Sequence, residues 1–77
     1  MSKNFTNLVR AIAKGGHEVV LVANTHDVKI YDKLGKKIAW INGAMQDSFA
    51  VYDVEAISSA ENQAIETYSS LPVEERL

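Results

Sequence analysis

The stretch HEVVLVANTHDVKIYDKLGKKIAWI, residues 17 to 41, decides the fold. Residues 17–23 contain an unbroken aliphatic run, which is typical of a central strand covered on both faces. Residues 28–31 alternate apolar and polar side chains, which predicts a strand with one solvated face. The segment Lys33-Leu34-Gly35 suits a three-residue hairpin loop and leads into a third strand over 37–41. These residues therefore predict an antiparallel meander.

A fourth strand is predicted near 48–52, after the strong hairpin signal Asn42-Gly43. If that pair closes a tight turn, Trp40 faces Met45 across the hairpin. Asp47 interrupts the apolar alternation, so the alternative is a wider loop or a bulge. The meander is therefore expected to have three or four strands.

Helices are predicted on both sides of the meander. Apolar residues recur every three or four positions from Asn4 to Lys14, with Asn4 or Thr6 as the cap and Gly15-Gly16 as the end of the helix. This pattern predicts an amphipathic helix with one buried stripe.

A second amphipathic helix is predicted after Asp53. Its alternative start is one turn later, because Ser58 and Glu61 have the spacing of a capping box. Pro72 ends this helix and can start a final short turn. The order of elements predicts an α+β fold: a helix, an antiparallel meander of three or four strands, and a C-terminal helix packed on the sheet.

The length of 77 residues leaves room for one core, so we expect a single domain over 1–77 that ends in a short acidic tail, 72–77. The predicted core consists of Leu8, Val9, Ile12, Val19, Leu21, Val28, Ile30, Ile38, Trp40, Phe49, Ile57, Ala64, Ile65 and Tyr68. The opposite sheet face is predicted to carry Val20, Val22, Tyr31, Ala39 and Ile41. That second apolar strip is either covered by the terminal segments or is a partner-binding surface.

Composition excludes several classes of protein. The chain has no cysteine, so a disulfide framework, a thiolate metal site and a cysteine nucleophile are all excluded. No apolar run approaches the roughly 20 residues of a membrane span, and the N-terminus lacks a signal-peptide core. We therefore expect a cytoplasmic protein that does not contact the membrane.

No catalytic or cofactor motif is present. His17 and His26 have no recognisable serine nucleophile, and as a metal pair they lack a third clustered ligand. Gly15-Gly16 precedes a strand, which reverses the order of phosphate-binding loops. We therefore expect no enzyme activity, no cofactor and no metal.

Charge is distributed unevenly. Residues 1–52 carry seven Lys and Arg against four Asp and Glu, whereas residues 53–77 carry one against six. Two surfaces could bind a partner protein: an acidic helix face, or the second sheet face with Tyr31 and Ile41. The acidic face is formed by Glu55, Glu61, Glu66, Glu74 and Glu75.

The segment IETYSSLPVEER, residues 65–76, resembles the endings of small uncharacterised proteins of phages and prophages from low-GC Gram-positive bacteria. Those proteins commonly have a tyrosine, one or two small residues and a Thr-Pro-Ile/Leu/Val-Glu-Glu-Arg ending. Leu71 stands here in place of the threonine, and Ala60 and Ala64 stand where bulkier residues are usual. The resemblance implies a bacterial cytosolic setting and an accessory phage gene, without catalytic residues. The size and order of elements also resemble, in shape only, one class of small acidic anti-CRISPR inhibitor.

The expected function is that of a non-enzymatic phage or prophage accessory protein that binds, and could inhibit, a host or phage protein. The first alternative is a small nucleic-acid-binding regulator that uses the hairpin lysines Lys33, Lys36 and Lys37. The second is a self-associating structural module, such as a homodimer.

Overall fold

A computed structural model describes residues 2–77. The chain forms helix α1 (Lys3–Lys14), strands β1 (Glu18–Leu21), β2 (Val28–Tyr31), β3 (Lys37–Ile41) and β4 (Phe49–Val51), helix α2 (Ser59–Ser70) and a 3-10 turn (Val73–Glu75). The sheet has the order β1-β2-β3-β4, and each neighbouring pair is antiparallel. The predicted α+β fold is confirmed, and of the three or four strands expected in the meander the structure has four.

Helix α1 begins earlier than the sequence predicts, because its cap lies two residues before Asn4. Its cap is Ser2, whose hydroxyl accepts a hydrogen bond from the Phe5 amide at 3.1 Å. Neither Asn4 nor Thr6 therefore serves as the cap. At the other end, Gly16 has the left-handed φ of 81° and ends the helix as expected.

Helix α2 begins at the later of the two predicted starts. The Ser58 hydroxyl accepts a hydrogen bond from the Glu61 amide, and the Glu61 carboxylate accepts one from the Ser58 amide. This is the predicted capping box. Residues 54–57, after Asp53, form a turn instead of a first helical turn.

A bulge in β3 changes which residues face the helices. Ile30 pairs with Ala39 but Tyr31 pairs with Lys37, so Ile38 is an extra residue and the register shifts there. The prediction that Ala39 and Ile41 lie on the outer sheet face is wrong, since both are fully buried against the helices. Trp40, predicted in the core, lies on the opposite face because side chains alternate along a strand.

The connection between β3 and β4 is wide. Ile41 pairs with Phe49, so Trp40 lies opposite Ala50 and the tight turn that would place it opposite Met45 does not form. Asp47 has a left-handed φ of 59° in this loop. The wider loop, the alternative suggested by Asp47, is therefore correct.

The core lies between the two helices and one face of the sheet. It consists of Phe5, Leu8, Ile12, Val28, Ile30, Ile38, Ala39, Ile41, Ile65 and Tyr68. Val9 and Phe49 were also predicted there, but each is more than one third exposed. Helices α1 and α2 and strands β2 and β3 supply these residues, and the partly buried Val19 and Leu21 of β1 and Val51 of β4 pack against them. One face of the sheet is therefore covered, and the other remains outside the core.

Candidate functional site

The predicted acidic face is not a single surface. Glu61 is only 1% exposed and must be removed from it, while Glu55, Glu66, Glu74 and Glu75 are exposed. Glu55 precedes α2, whereas Glu74 and Glu75 follow it. A 12-residue helix is about 18 Å long, so these charges lie at opposite ends of α2.

The buried carboxylate of Glu61 is held by hydrogen bonds within the domain. Its Oε1 accepts hydrogen bonds from the Ser58 amide and hydroxyl, and its Oε2 lies 2.5 Å from His17 Nδ1. Gly15 allows this approach, because a Cβ at that position would overlap the Glu61 carboxyl group. Glu61 thereby joins the end of α1, the start of β1 and the start of α2.

The grouping of Ser58, Glu61 and His17 does not form a nucleophile and base. In a serine hydrolase the imidazole takes the proton of the hydroxyl and the carboxylate orients the imidazole. Here the Glu61 carboxylate accepts the hydrogen bond from the Ser58 hydroxyl itself. It therefore lies between Ser58 and His17, and within residues 2–77 the imidazole makes no hydrogen bond with the hydroxyl. The arrangement supports helix capping and not acyl transfer.

The second sheet face is the candidate binding surface. Cross-strand pairing places Val20, Lys29, Trp40 and Ala50 in one row, since each lies directly opposite its neighbour. Glu18, Tyr31 and Lys37 form the adjacent row. Tyr52 lies next to this row, because the Lys37 ammonium group stands over its ring. We call this surface the open face, defined by Glu18, Val20, Lys29, Tyr31, Lys37, Trp40, Ala50 and Tyr52.

The open face is accessible. Val20 and Tyr52 are 40% and 54% exposed, and Lys29, Tyr31 and Trp40 are half-buried. The face includes the predicted Tyr31 but not the predicted Ile41, which points into the core. It brings three aromatic side chains and two lysines onto one side of the sheet.

Trp40 is held in place by Asp27. The indole Nε1 donates to Asp27 Oδ2 at 3.1 Å, and the Gly43 amide donates to Asp27 Oδ1 at 2.6 Å. The Gly43 hydrogen bond is the main cause that lowers the pKa of the Asp27 carboxyl, and Trp40 and the charge of Lys29 act in the same direction against a partial desolvation. An ionised Asp27 therefore orients Trp40 from the edge of the open face.

The hairpin lysines take different roles. Lys37 Nζ lies 5.5 Å from the centroid of the Tyr52 ring, a cation–π distance. Lys36 Nζ pairs with Asp53 at 3.2 Å, and this hydrogen bond lowers the pKa of the Asp53 carboxyl. The exposed Lys33 lies near Gly16. Only Lys37 of the three contacts an aromatic ring of the open face.

A second feature, absent from the sequence-based hypotheses, is the burial of Arg76. Its side chain donates to the backbone carbonyls of Leu71, Asn42, Met45 and Ser69 at distances of 2.6 to 3.3 Å. Residue 76 is 3% exposed, so Arg76 anchors the end of the chain, although its neighbours Glu74, Glu75 and Leu77 are exposed. The cation meets the last carbonyls of α2, where the helix dipole is negative.

The surroundings of Arg76 secure both ends of the chain. The Ser2 hydroxyl donates to the Arg76 carbonyl at 2.5 Å, and the guanidinium lies 5.6 Å from the centre of the Tyr68 ring. Burial raises the pKa of the Tyr68 hydroxyl, although the charge of Arg76 opposes the shift. The only feature of the sequence that could have pointed to this role of Arg76 is the Glu-Glu-Arg ending itself.

Within residues 2–77, no group of three or more histidine, aspartate or glutamate side chains is placed to hold a metal ion. The helices of the same residues are too short or too polar to span a membrane. His26, with a left-handed φ of 61°, lies exposed in the turn between β1 and β2. Within residues 2–77, no hydrogen bond or ion pair connects His26 with His17.

Comparison with known proteins gives no information about function, so the open face is the main guide to it. No protein-family model, curated protein or solved structure matches the chain.

Proposed function

We propose that this chain is a non-enzymatic protein-binding domain that docks a partner on the open face of its sheet. The single observation that carries the proposal is the row of Val20, Lys29, Trp40 and Ala50 on a face without a helix. Trp and Tyr are enriched at the centres of protein interfaces, where they supply large apolar area with few rotatable bonds. The open face presents three of them.

The charges around the aromatic residues indicate which charges a partner would carry. Lys29 and Lys37 lie among Tyr31, Trp40 and Tyr52, whereas Glu18 is the only acidic member of the open face. A complementary surface would have an apolar centre and carboxylates opposite these lysines. We therefore infer a partner with an apolar patch that carries acidic residues at its rim.

The size of the face limits the strength of the complex. The molecule measures 30 × 21 × 20 Å, so its largest side spans about 630 Å², less than the roughly 800 Å² per partner of a standard interface. The open face is only part of that side. A reversible complex is the expected outcome, with an affinity that depends on Trp40 and its aromatic neighbours.

We place this function in a phage or prophage of a low-GC Gram-positive bacterium, in the host cytosol. The support is the resemblance of residues 65–76 to the endings of such proteins. Binding to a host or phage protein, including inhibition of that protein, fits an accessory gene that lacks a catalytic site.

The experiment compares two matched variants in affinity capture from lysate of such a bacterium. The first carries Val20→Lys and Tyr52→Glu on the open face, and the second carries Glu66→Lys and Glu74→Lys on exposed helical positions. The proposal expects a partner that is retained by the wild type and the second variant but lost by the first. Circular dichroism checks that both variants are folded.

A partner that is lost with Glu66→Lys and Glu74→Lys but kept by the open-face variant would move the site to the acidic residues. Capture of no specific protein by the wild type would argue against a protein-binding role. A captured partner is then purified, and its binding is measured directly through the fluorescence of Trp40, the only tryptophan.

The second candidate is binding of single-stranded nucleic acid on the same face. The observation in its favour is the placement of Lys37 and Lys29 beside aromatic rings, since single-stranded sites combine stacking with phosphate contacts. Titration of Trp40 fluorescence with single-stranded and duplex DNA at about 50 and 200 mM salt tests it, because phosphate contacts weaken as salt rises. A lack of binding at the lower salt rejects this candidate.

Self-association is the remaining alternative. Sedimentation over a concentration series measures it directly, and a chain that stays monomeric at high concentration excludes a homodimer.

A further inference from the structure

A groove runs between α1 and α2 on the side of the sheet opposite the open face. Two adjoining cavities form it, of about 290 and 470 Å³, and Asn7 and Ala60 line both. The groove follows α1 from Asn4 to Lys14, a rise of about 15 Å. An extended chain advances about 3.3 Å per residue, so the groove has the length of four or five peptide residues.

The groove exists because small side chains lie where the helices meet. Ala60 and Ala64 of α2 and Ala11 of α1 line it, and larger residues at these positions would fill it. Leu8 and Tyr68 are buried beneath the first cavity and form an apolar floor. The small residues noted at 60 and 64 in the sequence therefore have a structural consequence.

Side-chain amides stand along both rims. Asn7 on α1 and Gln63 on α2 are exposed, and neither side chain makes a hydrogen bond within residues 2–77. An amide offers both a donor and an acceptor, which is what the backbone of an extended peptide requires. The exposed hydroxyl of Thr67 lies one turn beyond Gln63 on the same rim.

One end of the groove is positive. Arg10 and Lys14 line the second cavity, which has no acidic side chain among its lining residues. Neither cation forms a salt bridge in the described part of the chain. The nearby Glu61 does not neutralise them from within the groove, because its carboxylate is buried and bonded to Ser58 and His17.

We propose that the groove between α1 and α2 binds an extended peptide whose carboxylate side chains lie at the end formed by Arg10 and Lys14. The apolar floor takes one or two aliphatic side chains, and the amides of Asn7 and Gln63 hydrogen-bond to the peptide backbone. This site is independent of the open face, so the domain would hold two partners on opposite sides.

The test uses the whole chain labelled with ¹⁵N and four pools of capped hexapeptides. Two pools carry two Asp residues at the N-terminal or C-terminal end, and two matched pools carry Asn at the same positions; the remaining positions are mixtures of Leu, Val and Ala. The proposal expects one Asp pool to shift the resonances of Asn7, Gln63 and Thr67 while Val20 on the open face stays unshifted. The matched Asn pool is expected to bind about two- to fivefold more weakly for each cation engaged.

Two variants connect the shifts to the groove. Ala60→Leu fills the junction of the two cavities at an exposed helical position, and binding is expected to fall at least tenfold. The joint change Arg10→Gln and Lys14→Gln is expected to remove the preference for Asp over Asn. Glu66→Gln, on α2 but outside the lining, is the matched control and is expected to bind as the wild type does.

Absence of saturable shifts at the groove with every pool at about 1 mM would overturn the proposal, since that concentration detects even very weak binding. Equal binding of the Asp and Asn pools would overturn the assignment of Arg10 and Lys14 as carboxylate receptors. Shifts confined to Val20 and Trp40 would place peptide binding on the open face instead and would also overturn it.

Discussion

Arg76 Nη1 donates a hydrogen bond of 2.6 Å to the carbonyl oxygen of Asn42, 34 residues earlier in the chain. Asn42 begins the loop between β3 and β4, and Arg76 follows the last turn after α2. One side chain thereby ties the C-terminus to the sheet. The arginine of the Glu-Glu-Arg ending therefore has a structural role.

Arg76→Ala is expected to lower the free energy of unfolding by about 3 kcal/mol. It removes four charge-assisted hydrogen bonds and leaves buried carbonyl groups without a donor. For a domain of this size such a loss lowers Tm by at least about 10 °C. Thermal unfolding followed by circular dichroism measures it, with the exposed Arg10→Ala as the control; equal Tm values for the two variants would contradict the role of Arg76.

Glu61→Ala is expected to cost about 2 to 3 kcal/mol, whereas Glu66→Ala on the same helix is expected to cost less than about 0.5 kcal/mol. The first change removes half of the capping box and leaves His17 without its buried partner, while the second removes an exposed side chain. Urea unfolding of both variants provides the comparison. A similar midpoint for both would show that the buried carboxylate contributes little.

Gly15→Ala is expected to destabilise the protein, although Gly15 has a helical φ of −78° at which alanine is normally favoured. The added Cβ would overlap the Glu61 carboxyl group and push it away from His17. In the Glu61→Ala background the same substitution is expected to be neutral or stabilising. A double-mutant cycle on the free energy of unfolding measures the coupling, and additive effects would refute it.

Asp27 makes stability depend on pH below about 4. Its pKa in the folded protein is lower than the ordinary value of 3.8, so the unfolded chain binds more protons over this range. The free energy of unfolding is therefore expected to fall as pH drops from the ordinary value through the lower folded pKa. Chemical unfolding between about pH 6 and pH 2 should give a flatter profile for Asp27→Asn than for the wild type.

Asp53 has a pKa lowered in the same direction by Lys36, so part of the acid sensitivity remains in Asp27→Asn. The joint change Asp27→Asn and Asp53→Asn is expected to flatten the profile further. An unchanged slope for Asp27→Asn would show that the hydrogen bonds from Gly43 and Trp40 do not favour the ionised carboxyl.

Ser69→Ala is expected to leave the stability unchanged or to raise it by up to about 1 kcal/mol. The Ser69 hydroxyl is fully buried and has no hydrogen-bond partner within residues 2–77. Its removal relieves an unsatisfied polar group, and alanine has the higher helix propensity. Urea unfolding tests the expectation, with Ser59→Ala on the same helix as the exposed control; a clear loss of stability for Ser69→Ala would indicate that Ser69 has a partner.

Local patterns were sufficient for most of the fold. The Ser58–Glu61 spacing marked the start of α2, Gly35 adopts the left-handed φ of 83° expected in its hairpin loop, and Pro72 precedes the 3-10 turn. Each of these signals acts between residues that are close in the sequence. Their physical basis is hydrogen bonding or backbone sterics that need no distant partner.

To predict which side chains lie on which face of the sheet, one must know the register, and the register depends on how two strands pair. A single bulge beside Ile38 exchanged the environments of Ile41 and Trp40, because a shift of one residue turns every later side chain to the other face. Tyr31 was placed correctly, since β2 alternates regularly up to that bulge. The open face could therefore be predicted only in part.

The amino-acid sequence by itself determined the order of elements, the α+β class and the C-terminal ends of both helices, since these follow from periodicity and local backbone sterics. Tertiary structure alone decided that Glu61 and Arg76 are buried, that Trp40 faces outward and that a groove remains beside Ala60. Whether a charged side chain is exposed or satisfied by distant carbonyl groups depends on which segments meet in space. Residues 17 to 41 specified a meander, and the packing around it set which of its side chains remain available to a partner.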